Sequence, residues 1–171
     1  MPTTKNQPAK ATYKMKVEKN VMVPARDGVH LAVDIYRPDA PGKFPALLGM
    51  SPYGKGIQTL PYPFPQPAPD YTNEFKTALW DGNIEAGPTN EIVARGYAHV
   101  IGDLRGMGDS EGESDDEKRE GQDYNDVVEW LAKQPWCDGK IGGIGMSYFA
   151  MTQVAGALEQ PPHLRPECRA P

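Results

Sequence analysis

The chain has 171 residues, enough for one domain that buries about 70% of the surface its unfolded form exposes. Its 39% hydrophobic and 24% charged residues are ordinary for a soluble globular protein, and 18 glycines with 18 prolines announce many turns and long loops. A net charge of −5 argues against nucleic acid as a partner, and no run approaches the roughly 18 apolar residues that a membrane span requires. The opening MPTTKNQPAKATYK has neither an apolar stretch nor a small-residue cleavage site, so no secretory signal and a cytoplasmic location are expected. Cys137 and Cys168 supply neither a disulfide framework nor metal-ligand spacing.

In chain order, residues 1–13 are polar and read as a frayed tail. Val17–Val23 and Val29–Tyr36 alternate as strands, with Leu31, Val33 and Ile35 on one face. Asp27-Gly28 between them predicts a two-residue type I′ hairpin turn. Phe44–Met50 is a continuous apolar run, as in a strand buried on both faces. Residues 54–88 interrupt the pattern: prolines at 61, 63, 65, 67 and 69 exclude helix and central strand. This insertion reads as a stiff surface loop, with a ligand for an aromatic-grooved module as the alternative.

Order resumes with a short helix over Asn90–Arg95 and a buried strand over Tyr97–Gly102. A Gly-rich acidic loop spans Asp103–Lys118. A helix follows over Gln122–Gln134, with Tyr124, Val127, Val128 and Leu131 at helical spacing and Pro135 as its stop. Ile141–Gly145 is a short strand and Tyr148–Leu158 an apolar helix. A hairpin followed by alternating strands and helices implies α/β organisation with a largely parallel sheet.

The sharpest chemical signal is Gly145-Met146-Ser147, which joins a short strand to a helix. A serine on such a turn is pushed out of the sheet, and the helix N-terminus behind it offers N–H groups and a positive dipole end to a developing oxyanion. The alternative is a Gly-rich turn with an N-capping serine, and the last glycine of G-x-S-x-G is replaced by Phe149. Gly106-Met107-Gly108 after a strand imitates a dinucleotide fingerprint, but the next glycine is at 112 and an acidic loop follows. The acidic run 111–120 lacks calcium-loop spacing. His30 and His99 read as structural histidines.

Four stretches in order give this chain a family resemblance. They are Asp27-Gly28 with Leu31 and Asp34-Ile35-Tyr36-Arg37-Pro38; Ser51-Pro52-Tyr53-Gly54-Lys55; Asp103-Leu104-Arg105-Gly106-Met107-Gly108-Asp109-Ser110-Glu111-Gly112; and Trp130 with Gln134-Pro135-Trp136, leading to Gly145-Met146-Ser147-Tyr148. The chain resembles the cocaine esterase-like (CocE/NonD) hydrolases and the related Xaa-Pro dipeptidyl-peptidases and α-amino-acid ester hydrolases. In that family the elbow serine is usually followed by Tyr, with a later Gly three residues on, where this chain has Tyr148 and Ala150. The resemblance implies an α/β-hydrolase core with a helical cap and a C-terminal jelly roll. It implies a serine hydrolase cleaving ester or amide (peptide) bonds of small-molecule or peptide substrates through an acyl-enzyme, with no metal or organic cofactor. Carried over, Ser147 is the nucleophile, the backbone N–H of Tyr148 one oxyanion donor, and the hydroxyl of Tyr53 the other.

A triad in this fold runs Ser, then Asp or Glu, then His. After Ser147 the chain has no Asp, only Glu159, Glu167 and His163, and a helix of about ten residues carries His163 roughly 15 Å from the serine. The triad Asp and His are therefore expected outside these residues. The expected unit is a partial α/β-hydrolase domain over 14–165, ending after the elbow helix, with a divergent tail at 166–171. Its strand at 141–145 is expected to be an open edge, and the chain alone to be inactive. The rival reading is a non-catalytic remnant that binds a partner through the 54–88 loop.

Overall fold

The computed structural model describes residues 13–56, 86–113 and 117–165, over which the chain forms five strands and three helices. In chain order these are β1 (Met15–Pro24), β2 (His30–Pro38), β3 (Phe44–Ser51), α1 (Thr89–Ala94), β4 (Ala98–Asp103), α2 (Glu117–Ala132), β5 (Cys137–Gly143) and α3 (Tyr148–Leu158). The polar start (residues 1–12), most of the Pro-rich insertion (57–85) and the tail 166–171 lie outside the described residues. Tyr13 packs its ring edge-on against Phe44 at 5.3 Å.

The strands lie in the order β1-β2-β4-β3-β5. The sheet is mixed rather than largely parallel: β2 runs antiparallel to both β1 and β4, whereas β3 is parallel to β4 and β5. The connections dictate this. A tight turn joins β1 to β2, and residues 39–43 are too few for a crossover, which takes a dozen residues or more. The chain therefore reverses twice before the α-helical crossovers begin. The first turn is also longer than expected. Ala25 accepts a hydrogen bond from the Gly28 N–H, and Gly28 has φ +90 while Asp27 is not in the positive-φ region. This is a three-residue loop with a glycine bulge; type I′ needs positive φ at both central residues.

Helices cover both faces, so β2 is buried along nearly its whole length rather than on one face only. Leu31, Val33 and Ile35 join Leu48, Val100 and Ile141 against Tyr124, Val127, Val128 and Leu131 of α2. Tyr36 and Ile101 meet Ala86, Val93 and Phe149 in a second cluster. Each fully buried Leu, Ile or Val side chain contributes about 1.5–3 kcal/mol relative to exposure.

Helix α2 begins at Glu117, within what reads in the sequence as loop, because Gly121 is not a boundary. A Cβ at Gly121 would lie 2.7 Å from the Ala155 carbonyl oxygen, so this glycine lets α2 and α3 approach closely. The edge of β5 is not fully open either. Leu164 forms a parallel bridge to Ile141, whose N–H donates to the His163 carbonyl at 3.0 Å and whose carbonyl accepts from Arg165 N–H at 2.8 Å.

Candidate active site

The carboxyl ends of the parallel strands carry the candidate residues: Ser51-Pro52-Tyr53 after β3, Asp103 at the end of β4, and Ser147 after β5. The Ile144 N–H donates to the Leu48 carbonyl at 3.1 Å, and the chain then turns through Gly145 (φ +120). Ser147 has φ 56 and ψ −127, dihedrals of the first central position of a type II′ turn, where glycine is preferred. A side chain held there costs about 1–3 kcal/mol. The Ser147 carbonyl accepts the N–H groups of Ala150 and Met151, opening α3, but its hydroxyl makes no capping hydrogen bond. It is an exposed hydroxyl on a strained backbone at a helix N-terminus.

The surroundings explain how the turn is held. The Thr152 hydroxyl, fully buried, lies 2.9 Å from the carbonyl oxygens of both Met50 and Phe149, tying α3 to the end of β3. The Tyr148 hydroxyl donates to Glu120 of α2 at 2.8 Å. Phe149, where the general motif has glycine, is fully buried. The space it needs comes from the neighbouring strand: a Cβ at Gly49 of β3 would lie 3.0 Å from the Phe149 ring and 3.0 Å from the Ile144 carbonyl. The glycine has in effect moved from the elbow to the strand beside it.

Tyr53 faces the elbow from the turn after β3. Its ring meets those of Tyr148 and Phe149 edge-on, with centroids 6.2 and 6.4 Å apart, and it stays 40% exposed. All three sequence-derived site residues, Tyr53, Ser147 and Tyr148, thus lie in one place.

Two buried ion pairs beside them were not singled out by sequence reasoning. Lys55 donates through Nζ to Asp103 (3.0 Å) and to Asp109 (2.5 Å), and its backbone N–H donates to the other Asp103 oxygen at 2.5 Å. Burial works against the Lys55 charge, yet the hydrogen bonds to Asp109 and Asp103 outweigh it and hold its pKa above that of a free lysine. Arg105 donates two hydrogen bonds to Asp123 of α2, at 2.8 and 2.6 Å, and pairs with Asp27 in the first turn. The Asp123 bonds, against the cost of burial, push the guanidinium pKa further up. Lys55, Asp103, Asp109, Arg105 and Asp27 all fall within the four matched stretches, whereas Asp123 lies outside them. The loop also disposes of the dinucleotide reading, because Gly108 packs against the Asp103 carboxylate, where a phosphate would be repelled.

The chain's three histidines all stand away from Ser147. His30 bonds Glu111 at 2.9 Å. His99 is fully buried, with Nδ1 2.8 Å from the Thr89 hydroxyl and Nε2 2.9 Å from the Ala86 carbonyl, and burial lowers its pKa to about 4. It is the structural histidine that the sequence suggests. His163 bonds Glu129 at 2.8 Å and lies beside Gly139, near the start of β5 and at the opposite end of that strand from the elbow. Among the described residues, no group of three or more His, Cys, Asp or Glu side chains is placed to hold a metal ion, and no helix is long and apolar enough to cross a membrane.

With this geometry in view, residues 27–168 match the model of the X-Pro dipeptidyl-peptidase (S15) family. The chain belongs to that family. Its relatives include the cocaine esterase of Rhodococcus sp. (strain MB1 Bresler), 40% identical over 142 residues that make up 83% of this chain and 21% of the esterase. A CocE/NonD family hydrolase from Staphylococcus aureus superposes with a TM-score of 0.74 at 34% identity, over 88% of this chain and 27% of that one. An α-amino acid ester hydrolase superposes with a TM-score of 0.64 at 27% identity, over 96% of this chain and 27% of that one. The fold is accordingly that of the α/β-hydrolases of this S15 and CocE/NonD group, and the chain spans about a fifth of the length of the curated relatives it matches.

Proposed function

We propose that this chain carries the nucleophile and oxyanion hole of a serine hydrolase that cleaves ester or amide bonds, peptide bonds included, through an acyl-enzyme. The observation that carries the reading is the backbone of Ser147, held at φ 56 and ψ −127 between β5 and α3 with its hydroxyl exposed and uncapped. A serine that only capped the helix would adopt an ordinary extended backbone and turn its oxygen onto the first N–H groups. The Ser147 oxygen attacks the substrate carbonyl carbon while a histidine takes its proton. The tetrahedral oxyanion is met by the Tyr148 N–H at the positive end of α3 and by the Tyr53 hydroxyl. Collapse releases the alcohol or amine, which receives the proton, and water then hydrolyses the acyl-serine by the same route.

His30, His99 and His163 are each committed elsewhere, so the Asp–His pair comes from polypeptide outside these 171 residues. The chain by itself then lacks its general base, and an unassisted serine hydroxyl is a weak nucleophile. A fluorophosphonate probe tests the assignment in the protein as its gene encodes it. Labelling that disappears in Ser147→Ala is expected, and equal labelling of both proteins overturns it.

A further inference from the structure

We infer that the Asp103 carboxylate, clamped by Lys55 and closed over by Gly108, is the post that positions Tyr53 against the elbow. This rests on the proposed role of the Tyr53 hydroxyl, but the clamp can be read without it. Tyr53 sits in a five-residue segment tied down at both ends to one short stretch of β4. At the near end, Ser51 is the register partner of Asp103, its carbonyl accepts the Leu104 N–H at 3.2 Å, and its hydroxyl oxygen lies 3.3 Å from the Tyr53 nitrogen. At the far end, Gly54 turns the chain at φ +83 and Lys55 delivers both its backbone N–H and its ammonium to the two Asp103 oxygens. Between these ends, only Pro52, Tyr53 and Gly54 span the gap.

The Asp103 carboxylate is held in turn from the other side. Asp109 donates its N–H to Asp103 Oδ2 at 3.0 Å, and Ser110 donates its hydroxyl to the Asp103 carbonyl at 2.8 Å. The loop can close this tightly only because residue 108 has no side chain. A Cβ on Gly108, at φ +56, would lie 2.2 Å from Oδ2. Lys55 and Asp103 are both almost fully buried, at 4% and 1% exposure, while Tyr53 reaches out at 40%. A fixed base below an exposed ring is the arrangement needed to aim a hydroxyl that would otherwise sweep through solvent. Lys55 and Asp103 are positioning residues; neither touches the reacting atoms.

The test places 3-fluorotyrosine at position 53 and, in a second sample, at the buried Tyr124 as a folding control. Lys55→Met removes the ammonium, and Gly108→Ala displaces the carboxylate without touching Lys55. Each is expected to move the Tyr53 fluorine resonance toward that of the free amino acid and sharpen it, with the Tyr124 resonance unchanged. If Lys55→Met disturbs Tyr124 as well, Asp109→Asn at the exposed end of the clamp is read in its place, with a smaller shift in the same direction. An unmoved Tyr53 signal with Tyr124 intact overturns the clamp. In the active protein, Lys55→Met is expected to lower kcat by about 10–100-fold with KM little changed, as misplacement of a reacting group does. It should cost nothing further in a Tyr53→Phe background. Full additivity with Tyr53→Phe also overturns the clamp, whereas an unchanged kcat in Tyr53→Phe alone overturns the role of the hydroxyl.

Discussion

Along the β4 flank, buried charge pairs tie the end of β4 to the segment after β3, Lys55 with Asp103, and to α2, Arg105 with Asp123, over a core covered on both faces. Along the β5–α3 flank, the helix instead turns Met151, Val154 and Leu158 outward at 63%, 64% and 78% exposure, and on the side of β5 away from β3 Ile141 bridges to Leu164. Ser147 stands at the seam. The contrast teaches that the two halves of the candidate oxyanion hole have different supports. Tyr53 is carried by the closed flank, through Ser51 and through Lys55 on Asp103. Ser147 and Tyr148 are carried by a helix fixed on its inner face, through Thr152, Phe149 and the Tyr148–Glu120 bond, and bare on its outer one.

The comparison breaks most severely if the closed flank loses a charge. Asp123→Ala leaves the Arg105 guanidinium buried with only the half-exposed Asp27 as partner, and removing one member of such a pair costs about 3–5 kcal/mol. Urea unfolding should show the loss, and a change below about 1 kcal/mol would mean that water reaches this site. Next in size is a pH effect at His99. Its folded pKa of about 4 lies below the ordinary value near 6.5, so between the two the unfolded chain binds a proton that the folded chain refuses. Stability therefore falls as pH drops from about 6.5 to about 4, by on the order of 3 kcal/mol. The slope of unfolding free energy with pH should be shallower in His99→Gln, and an identical slope would place the acid sensitivity elsewhere. The open flank sharpens the contrast by responding least. Leu158→Gln on the outer face of α3 should change stability by no more than about 0.5 kcal/mol while lowering the fluorescence of bound ANS. A large destabilisation there would show that the face is covered in solution.

Features set by near neighbours in sequence were readable in advance. Helix α2 follows from Tyr124, Val127, Val128 and Leu131 at helical spacing, and the elbow from a glycine two residues before a serine at a strand-to-helix junction. Features set by distant partners were not. Lys55 and Asp103 are 48 residues apart, and nothing in either neighbourhood marks them as a pair. Phe149 looks like a defect in the motif until Gly49, one hundred residues earlier, is found beside it. Gly121 stands just before the helix expected from Gln122, yet it lies inside α2 and serves a close approach to Ala155 of another helix. The bridge between Ile141 and Leu164 rests on backbone groups, which every residue type supplies, so no side-chain pattern announces it.

The backbone at position 147 has a consequence for how this protein changes under selection. Its dihedrals rank the amino acids before any reaction is considered: glycine fits without strain, serine does not, and β-branched residues fit worst. Ser147→Gly should therefore yield a chain more stable than the original, by up to the 1–3 kcal/mol or so that the strain costs. A laboratory lineage rewarded for thermal endurance alone drifts toward glycine at 147, and one rewarded for turnover keeps the serine. Which residue such a population retains is a direct readout of whether hydrolysis or persistence is being selected.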